Sequence, residues 1–407
     1  MTALHNKIRS SNRWLAAVLV TLVMMPTLTA AQALDKQPPM LFSRLTLDNG
    51  LSQSNVLAIA QDADGMMWFG TENGLNRFDG YEFTHFKRER GNPNALSSDF
   101  VFDIAVGAGD ALWLATNGGG VARLNRETGA ITNFGPAGES GTSSAIVRRL
   151  TIDAAGRVWM ATRDAGLDRL DPATGKIDNI RIEAAGEQPD KLFALAVDSK
   201  GLLWVGGDHG VTAIDTRTGQ QVAFVHDAAD ASSVQKGSIR AIVQTKDGSL
   251  WFGSYGGGLS RLAPGARTFE HFTHAADDEK TLTGDRVTSI LEDNAGRLWV
   301  GTTNGLNLVA QEDGSVTRYT NVSADVASLS DNNITSLFED RSGLLWVGTK
   351  MKGLNTWNPR TWGLGFEPAE AMTAAAQSRP NVTSFVGDDM GRVWVGTFGD
   401  GLTEVDR

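Results

Sequence analysis

Eight tryptophans recur along this chain at intervals of 45 to 48 residues, and the residues around them are similar each time. A turn containing Gly precedes each tryptophan, and a further Gly follows within a few residues. A repeat of this length, rich in Gly turns and β-branched residues, is typical of β-propeller blades. We therefore predict an all-β fold of four-stranded antiparallel blades. The tryptophans predicted to form its structural core are Trp68, Trp113, Trp159, Trp204, Trp251, Trp299, Trp346 and Trp394.

The sixth repeat shows how one blade is built. Apolar alternation and turn residues predict strands over 287–291, 298–301, 306–310 and 315–319. The tryptophan lies in the second strand, where its large apolar area can fill the wedge between neighbouring sheets. A D-x-x-G turn joins the first two strands, because Asp can accept backbone N–H groups and Gly takes the positive φ that such a turn needs. The further oxygen ligands of a calcium loop are missing, so we predict a turn and no metal site.

The chain also predicts how the ring closes. Residues 42–52 match the fourth strand and following loop of the other repeats, and an N-terminal fourth strand should complete the last blade, which hides two open sheet edges. We favour a seven-bladed ring over 42–358, with 359–407 as the first blade of a second, truncated propeller. A single eight-bladed ring is the alternative, since the eighth repeat also lacks its own fourth strand.

The first residues have the pattern of an export signal. Lys7, Arg9 and Arg13 precede a twelve-residue apolar run from Trp14, and small residues follow as far as Ala33. The run is short for a membrane span of roughly 20 residues. We predict a secretory signal peptide over 1–33 and a periplasmic location.

Composition excludes several classes of function. A net charge of −10 without a basic cluster argues against nucleic acid, whose binders neutralise phosphates with Lys and Arg. The sequence contains no Cys, which excludes disulfides, thiolate metal sites and a Cys nucleophile. No motif indicates a cofactor.

The unit D-x-x-G-x-[LV]-W-[VF]-G-T-x-x-G-L, with the opening LTLDNGLSQSNV, resembles the two-component regulator propeller repeat of bacterial periplasmic sensors. The resemblance covers about residues 42–407. It implies an extracytoplasmic module that senses a small-molecule or oligosaccharide ligand. It also implies a membrane-bound histidine kinase or diguanylate cyclase output domain in cis, anchored in the inner membrane in the full-length protein. The sequence contains no kinase histidine box and no GGDEF-type loop, so we expect a non-enzymatic sensor fragment, for which a homodimer is one arrangement.

Blade geometry predicts where a ligand would bind. The loops between second and third strands lie opposite the D-x-x-G turns, and their tips should surround the central funnel. We predict ligand contacts at Arg163, His209, Tyr255 and Lys350. Arg163 and Lys350 could hold a carboxylate or uronate, Tyr255 could stack on a sugar ring, and His209 could donate a hydrogen bond.

Two other functions are compatible with a propeller of this kind. One is a lyase acting on polysaccharide, which would need a base and a partner group near the substrate. Four histidines are predicted at the outer rim, at His85, His226, His271 and His274, so His209 would stand alone in the funnel. The other function is a scaffold that docks proteins through the polar rim loops at 88–98 and 277–285.

Overall fold

A computed structural model describes residues 40–109, 111–136, 141–183, 191–361, 382–387, 393–397 and 401–405. The described residues fall into two compact units, one over Met40–Thr361 and one after Trp362. The predicted signal peptide over 1–33 lies outside the described residues. Within the described part of the chain, no helix is both long and apolar enough to span a bilayer.

The first unit is a seven-bladed β-propeller of four-stranded antiparallel sheets, as the repeat pattern predicts. The strands of blades one to three are β2 (Val56–Gln61), β3 (Met67–Thr71), β4 (Gly74–Phe78), β5 (Phe83–Phe86), β6 (Val101–Val106), β7 (Ala111–Thr116), β8 (Val121–Asn125), β9 (Ile131–Phe134), β10 (Val147–Ile152), β11 (Val158–Thr162), β12 (Leu167–Leu170) and β13 (Ile177–Ile180). Those of blades four and five are β14 (Leu192–Val197), β15 (Leu202–Gly207), β16 (Gly210–Asp215), β17 (Gln221–Phe224), β18 (Ser238–Gln244), β19 (Leu250–Tyr255), β20 (Gly258–Leu262) and β21 (Phe269–Phe272). Those of blades six and seven are β22 (Val287–Glu292), β23 (Leu298–Thr302), β24 (Gly305–Val309), β25 (Val316–Tyr319), β26 (Ile334–Glu339), β27 (Leu345–Thr349), β28 (Leu354–Trp357) and β1 (Phe42–Leu45).

The seventh blade combines both ends of this unit. Its outermost strand is β1, which pairs antiparallel with β28 so that Phe42 faces Trp357. Each inner strand contacts the inner strand of the next blade, and β26 of the seventh blade contacts β2 of the first. A short 3-10 turn at Leu47–Asn49 lies between β1 and β2, and another at Pro359–Thr361 follows β28. The predicted strands of the sixth repeat agree with the structure to within one residue at each end.

The repeat tryptophans of the seven blades are all buried, with at most 5% of their surface exposed. Trp68 packs in one cluster with Leu112 and Leu114 of the following blade, so the indole lies between two sheets. Five of these indoles also donate a hydrogen bond to the Asp that begins their own D-x-x-G turn. The Asp therefore ties the turn to the wedge between blades, in addition to capping the turn.

Glycine two residues after the tryptophan has a separate packing role. A β-carbon at Gly253 would lie 2.5 Å from Cγ1 of Val287, which begins the inner strand of the next blade. At Gly206 the corresponding atom would lie 2.7 Å from Cγ2 of Ile239. Such distances are far below van der Waals contact, so glycine allows the inner strands to approach the preceding blade closely.

The second unit contributes three described strands, β29 (Val382–Gly387), β30 (Val393–Thr397) and β31 (Gly401–Val405), which form one antiparallel sheet. Trp394 lies in β30 and is partly exposed. The D-x-x-G turn of the eighth repeat, which begins at Asp388, lies outside the described residues. The assignment of 359–407 to a second propeller stays a prediction.

Candidate ligand-binding site at the channel mouth

Every inner strand of the ring carries a β-bulge near its start, and the bulge falls at the same place in each blade. The register of β2 against β3 shifts between Val56 and Ala58, which leaves the intervening residue out of the ladder. A bulge re-aims a side chain, and bulges are common beside functional sites. The residues at the seven bulges are Leu57, Phe102, Arg148, Phe193, Arg240, Thr288 and Thr335.

All seven bulge residues line a single cavity of about 560 Å³ at one mouth of the central channel. Two residues of the loops between second and third strands, Arg163 and Asp208, also line it. The cavity is therefore on the face opposite the D-x-x-G turns, where the sequence predicts the ligand. Its size falls in the range of small-molecule sites.

The charges of the lining are unevenly distributed around the ring. Blades three to five supply all the cationic side chains, which are Arg148, Arg149, Arg163, Lys191 and Arg240. Asp208 is the one acidic residue of the described lining. The other four blades contribute neutral bulge residues, so one side of the mouth is positive in a protein whose net charge is −10.

The aromatic ring of Phe193 contacts two of these cations. The guanidinium carbon of Arg148 lies 4.3 Å from the centroid of the Phe193 ring, and that of Arg240 lies 4.4 Å from the same centroid. Arg240 is also 4.4 Å from the ring centroid of Tyr255. Cation–π contacts at these distances hold both guanidinium groups in place.

Four of the cations form no ion pair with any described residue. Among the described residues, the side chains of Arg148, Arg163, Lys191 and Arg240 make no hydrogen bond and no ion pair within 4.0 Å. The buried Nε atoms of Arg148 and Arg240 have no hydrogen-bond partner. Burial, together with the positive charges of Arg240 and Arg163, lowers the pKa of Arg148 to about 10. Burial also lowers the pKa of Arg240.

The fifth cation, Arg149, is paired below the mouth. Its Nη1 lies 3.6 Å from Oδ1 of Asp103, and Oδ2 of Asp103 accepts a 2.8 Å hydrogen bond from the backbone N–H of Leu150. Burial raises the pKa of Asp103, although Arg149 opposes this effect. Ser289 and Ser336 line the same deeper part of the channel.

The four ligand contacts predicted from the sequence occupy different positions. Arg163 lines the cavity, and Tyr255, which is outside the lining, contacts the lining residue Arg240. His209 is outside the lining, and its Nε2 is 3.0 Å from Oγ1 of Thr212. Lys350 is exposed on the seventh blade and is also outside the lining. The ligand-binding roles of all four stay predictions.

Sequence reasoning missed the residues that dominate the mouth, above all Arg148, Phe193 and Arg240. A signal for them exists, because each bulge residue precedes the tryptophan of its own repeat by eleven positions. The preceding position holds only Val, Leu or Ile, whereas the bulge position holds Leu, Phe, Arg or Thr. An alignment on the tryptophans therefore separates a uniform packing position from a variable one.

Comparison with known families identifies the repeats. The family model described as two component regulator propeller matches residues 50–73, 233–256, 281–304 and 328–351. Each matched segment runs from the loop before an inner strand through the second strand of that blade. It therefore includes the bulge position and the tryptophan.

Similar proteins are found among curated sequences and solved structures. Histidine kinase P4 of Formosa agariphila is 47% identical over 57 residues, which are 14% of this chain and 4% of the kinase. The extracellular domain of a hybrid two-component system of B. thetaiotaomicron superposes with a TM-score of 0.69 at 23% identity, over 91% of this chain and 48% of that domain. Virginiamycin B lyase from Staphylococcus aureus superposes with a TM-score of 0.59 at 14% identity, over 79% of this chain and 99% of the lyase.

These structural similarities establish the propeller fold alone, because both identities are below 25%. The chain spans about half the length of the B. thetaiotaomicron domain and a small part of the curated kinase.

Proposed function

Because four of its repeats belong to the two-component regulator propeller family, we propose that this chain is the extracytoplasmic ligand-binding module of a bacterial signal-transduction receptor. Its ligand is a carbohydrate or another small molecule bound at the mouth of the central channel. The observation that carries this proposal is the convergence of seven variable bulge residues on one cavity, above a ring whose packing positions are uniform.

The same proposal includes how the chain is exported and which output domain it controls. The chain is exported by the segment 1–33, and its output comes from a membrane-bound histidine kinase or diguanylate cyclase in cis. The similarity to a histidine kinase and to an extracellular domain of a two-component system supports this arrangement. Because the ring is rigid, ligand binding is transmitted to the output domain by a reorientation of whole domains or of two subunits. The ligand shifts the equilibrium between two such arrangements only by the difference in its affinity for them.

We propose binding without catalysis, although a lyase shares the fold. His209, the histidine predicted to face the funnel, is outside the cavity lining, and its Nε2 is within hydrogen-bond distance of Thr212. The cations at the mouth are suited to holding an anion, whereas proton abstraction needs a base within reach of the substrate.

A variant that fills the cavity tests this function. Leu57 is a half-exposed apolar bulge residue, so Leu57→Trp should occupy the mouth without disturbing the wedge between blades. The control is Val222→Trp, which adds the same side chain to an outer strand where Val222 is 58% exposed. Neutral and acidic oligosaccharides and small organic acids are screened by thermal shift and then by calorimetry.

We expect at least one compound to bind the unmodified protein and the control but not Leu57→Trp. Binding that survives Leu57→Trp would place the ligand elsewhere and contradict the proposal. Release of unsaturated sugar products, followed by absorbance in the same mixtures, would instead favour the lyase.

A further inference from the structure

The four unpaired cations of the mouth define the chemistry of the ligand. We infer that the cavity is an anion-binding site and that its ligand is a small organic molecule carrying two or more carboxylate, sulfate or phosphate groups. This inference rests on the proposed function, because it specifies the ligand of the same cavity.

The charge balance of the lining is the first argument. Arg149 is paired with Asp103 below the mouth, and Asp208 is the one acid of the described lining beside Arg148, Arg163, Lys191 and Arg240. Asp164, which is outside the lining, also acts on Arg148. Even with both acids counted, these four cations outnumber the described acids by two at a cavity of about 560 Å³. Gathering like charges in a partly buried site costs free energy, and a bound multivalent anion would remove that cost.

The geometry of the two central arginines is the second argument. The guanidinium carbons of Arg148 and Arg240 lie 4.3 and 4.4 Å from the centroid of the Phe193 ring, and a guanidinium group stacks on an aromatic ring through its flat face. The N–H donors of a guanidinium point outward in its plane and match the two oxygens of a carboxylate or the oxygens of a phosphate. Their ring contacts thus fix these arginines without consuming the donors that would bind an oxyanion.

The location of the charge limits the size of the ligand. The protein as a whole is acidic, so a long polyanion lying across its surface would be repelled outside the mouth. At physiological ionic strength, exposed charges beyond about 8 Å are largely screened, and the cations of the cavity dominate locally. A compact anion, or the end of an acidic oligosaccharide, satisfies both conditions.

Calorimetry with defined probes tests this inference. The probes are trigalacturonate, citrate, inorganic sulfate and inorganic phosphate, which separate the three oxyanion classes, and maltotriose as a neutral trisaccharide. The variants are Arg148→Gln, Arg240→Gln and their combination. Arg267→Gln is the matched control, because Arg267 is exposed, outside the cavity lining and without a hydrogen bond or ion pair among the described residues.

We expect at least one multivalent anion to bind and maltotriose not to bind. Each arginine substitution should weaken that anion by about 10- to 100-fold, as the loss of a charge-assisted hydrogen bond does. Raising sodium chloride from about 50 to 300 mM should weaken it further through screening, and Arg267→Gln should bind normally. Circular dichroism and melting temperature confirm that each variant is folded.

Three results would overturn the inference: no binding of any anionic probe at millimolar concentration, equal binding of trigalacturonate and maltotriose, or unchanged anion affinity in the double variant. A neutral ligand that binds and is blocked by Leu57→Trp would overturn the anion assignment while leaving the proposed function intact. Failure of Leu57→Trp to block a bound anion would count against the proposed function instead.

Discussion

The indole Nε1 of Trp299 donates a 2.8 Å hydrogen bond to Oδ2 of Asp293. The other oxygen, Oδ1, accepts the backbone N–H groups of Ala295 and Arg297. One buried carboxylate therefore holds the turn at the end of the inner strand and the side chain that fills the wedge between blades. The same arrangement recurs at Asp62, Asp153, Asp198 and Asp340.

Asp293→Ala should destabilise the propeller by roughly 2 to 3 kcal/mol, because it leaves the indole N–H and two turn N–H groups without an acceptor in a buried site. Urea unfolding followed by tryptophan fluorescence measures the change. Asp277→Ala is the control, since Asp277 is exposed and makes no hydrogen bond or ion pair among the described residues. Equal stability of the two variants would show that the anchor contributes nothing.

Blade five lacks this anchor and offers the reverse experiment. Thr245 stands where five of the other six blades have Asp, and Nε1 of Trp251 is buried with no hydrogen-bond partner. Thr245→Asp should supply the acceptor and stabilise the protein by roughly 1 kcal/mol. The nearby Asp247 is compatible with a second acid, because blade one already carries both Asp62 and Asp64. A lower urea midpoint than that of the unmodified protein would contradict this prediction.

The close approach between blades gives a steric prediction. Gly253→Ala should cost about 1 to 3 kcal/mol, because the added methyl group would lie 2.5 Å from Cγ1 of Val287 and force the inner strand outward. Val287→Ala removes the obstructing atoms and costs stability by leaving a cavity. The double variant should be less destabilised than the sum of the single variants, as measured in a urea double-mutant cycle. Simple additivity would mean that the two side chains do not meet.

The sequence predicts the blades well because their determinants are local. Trp299 and the turn from Asp293 to Gly296 specify a strand, a hairpin and a buried face within a few residues. The tryptophan recurs in all seven blades of the ring, and the D-x-x-G turn recurs in five of them. Loop tips such as Arg163 could be assigned to the correct face by the same reasoning. The contact between Arg148, Phe193 and Arg240 could not, because it joins three blades and depends on bulges that break the alternation of the inner strands. A strict two-residue period gives no indication that a bulge will turn Arg148 into the channel.

The loss of fold stability at acidic pH should depend in part on Asp247. Burial alone would raise the pKa of this carboxyl group, but hydrogen bonds from Thr245 and Ser249 and the charge of Arg261 lower it to about 2. A carboxyl group with a lowered pKa stabilises the fold fully above its unfolded pKa near 3.8, and this contribution is lost as the pH falls toward about 2.

Asp247→Asn should therefore reduce the melting temperature at pH 7, and the difference from the unmodified protein should shrink as the pH is lowered to 3. Calorimetric melting across this range measures the effect. Asp277→Asn is the control for loss of the same charge, at an exposed position without a hydrogen bond or ion pair among the described residues. A constant difference for Asp247→Asn at all pH values would indicate a packing effect rather than the titration of this group.

The unpaired cations of the channel mouth should make the ligand-free protein less stable than it could be. Arg148→Gln removes a partly buried charge that faces Arg240 and Arg163, and burial together with these neighbours already lowers the pKa of Arg148 to about 10. We expect the melting temperature of the ligand-free protein to rise by about 1 to 2 °C, which corresponds to a small increase in the free energy of unfolding for a domain of this size. The gain should decrease in high salt, which screens repulsion between the cations.

Arg169→Gln is the comparison, because Arg169 has an acidic partner, with Nη2 2.8 Å from Oδ2 of Asp178, and its loss should give no gain. A lower melting temperature for Arg148→Gln would show that its contact with Phe193 outweighs the repulsion and that this arginine stabilises the fold.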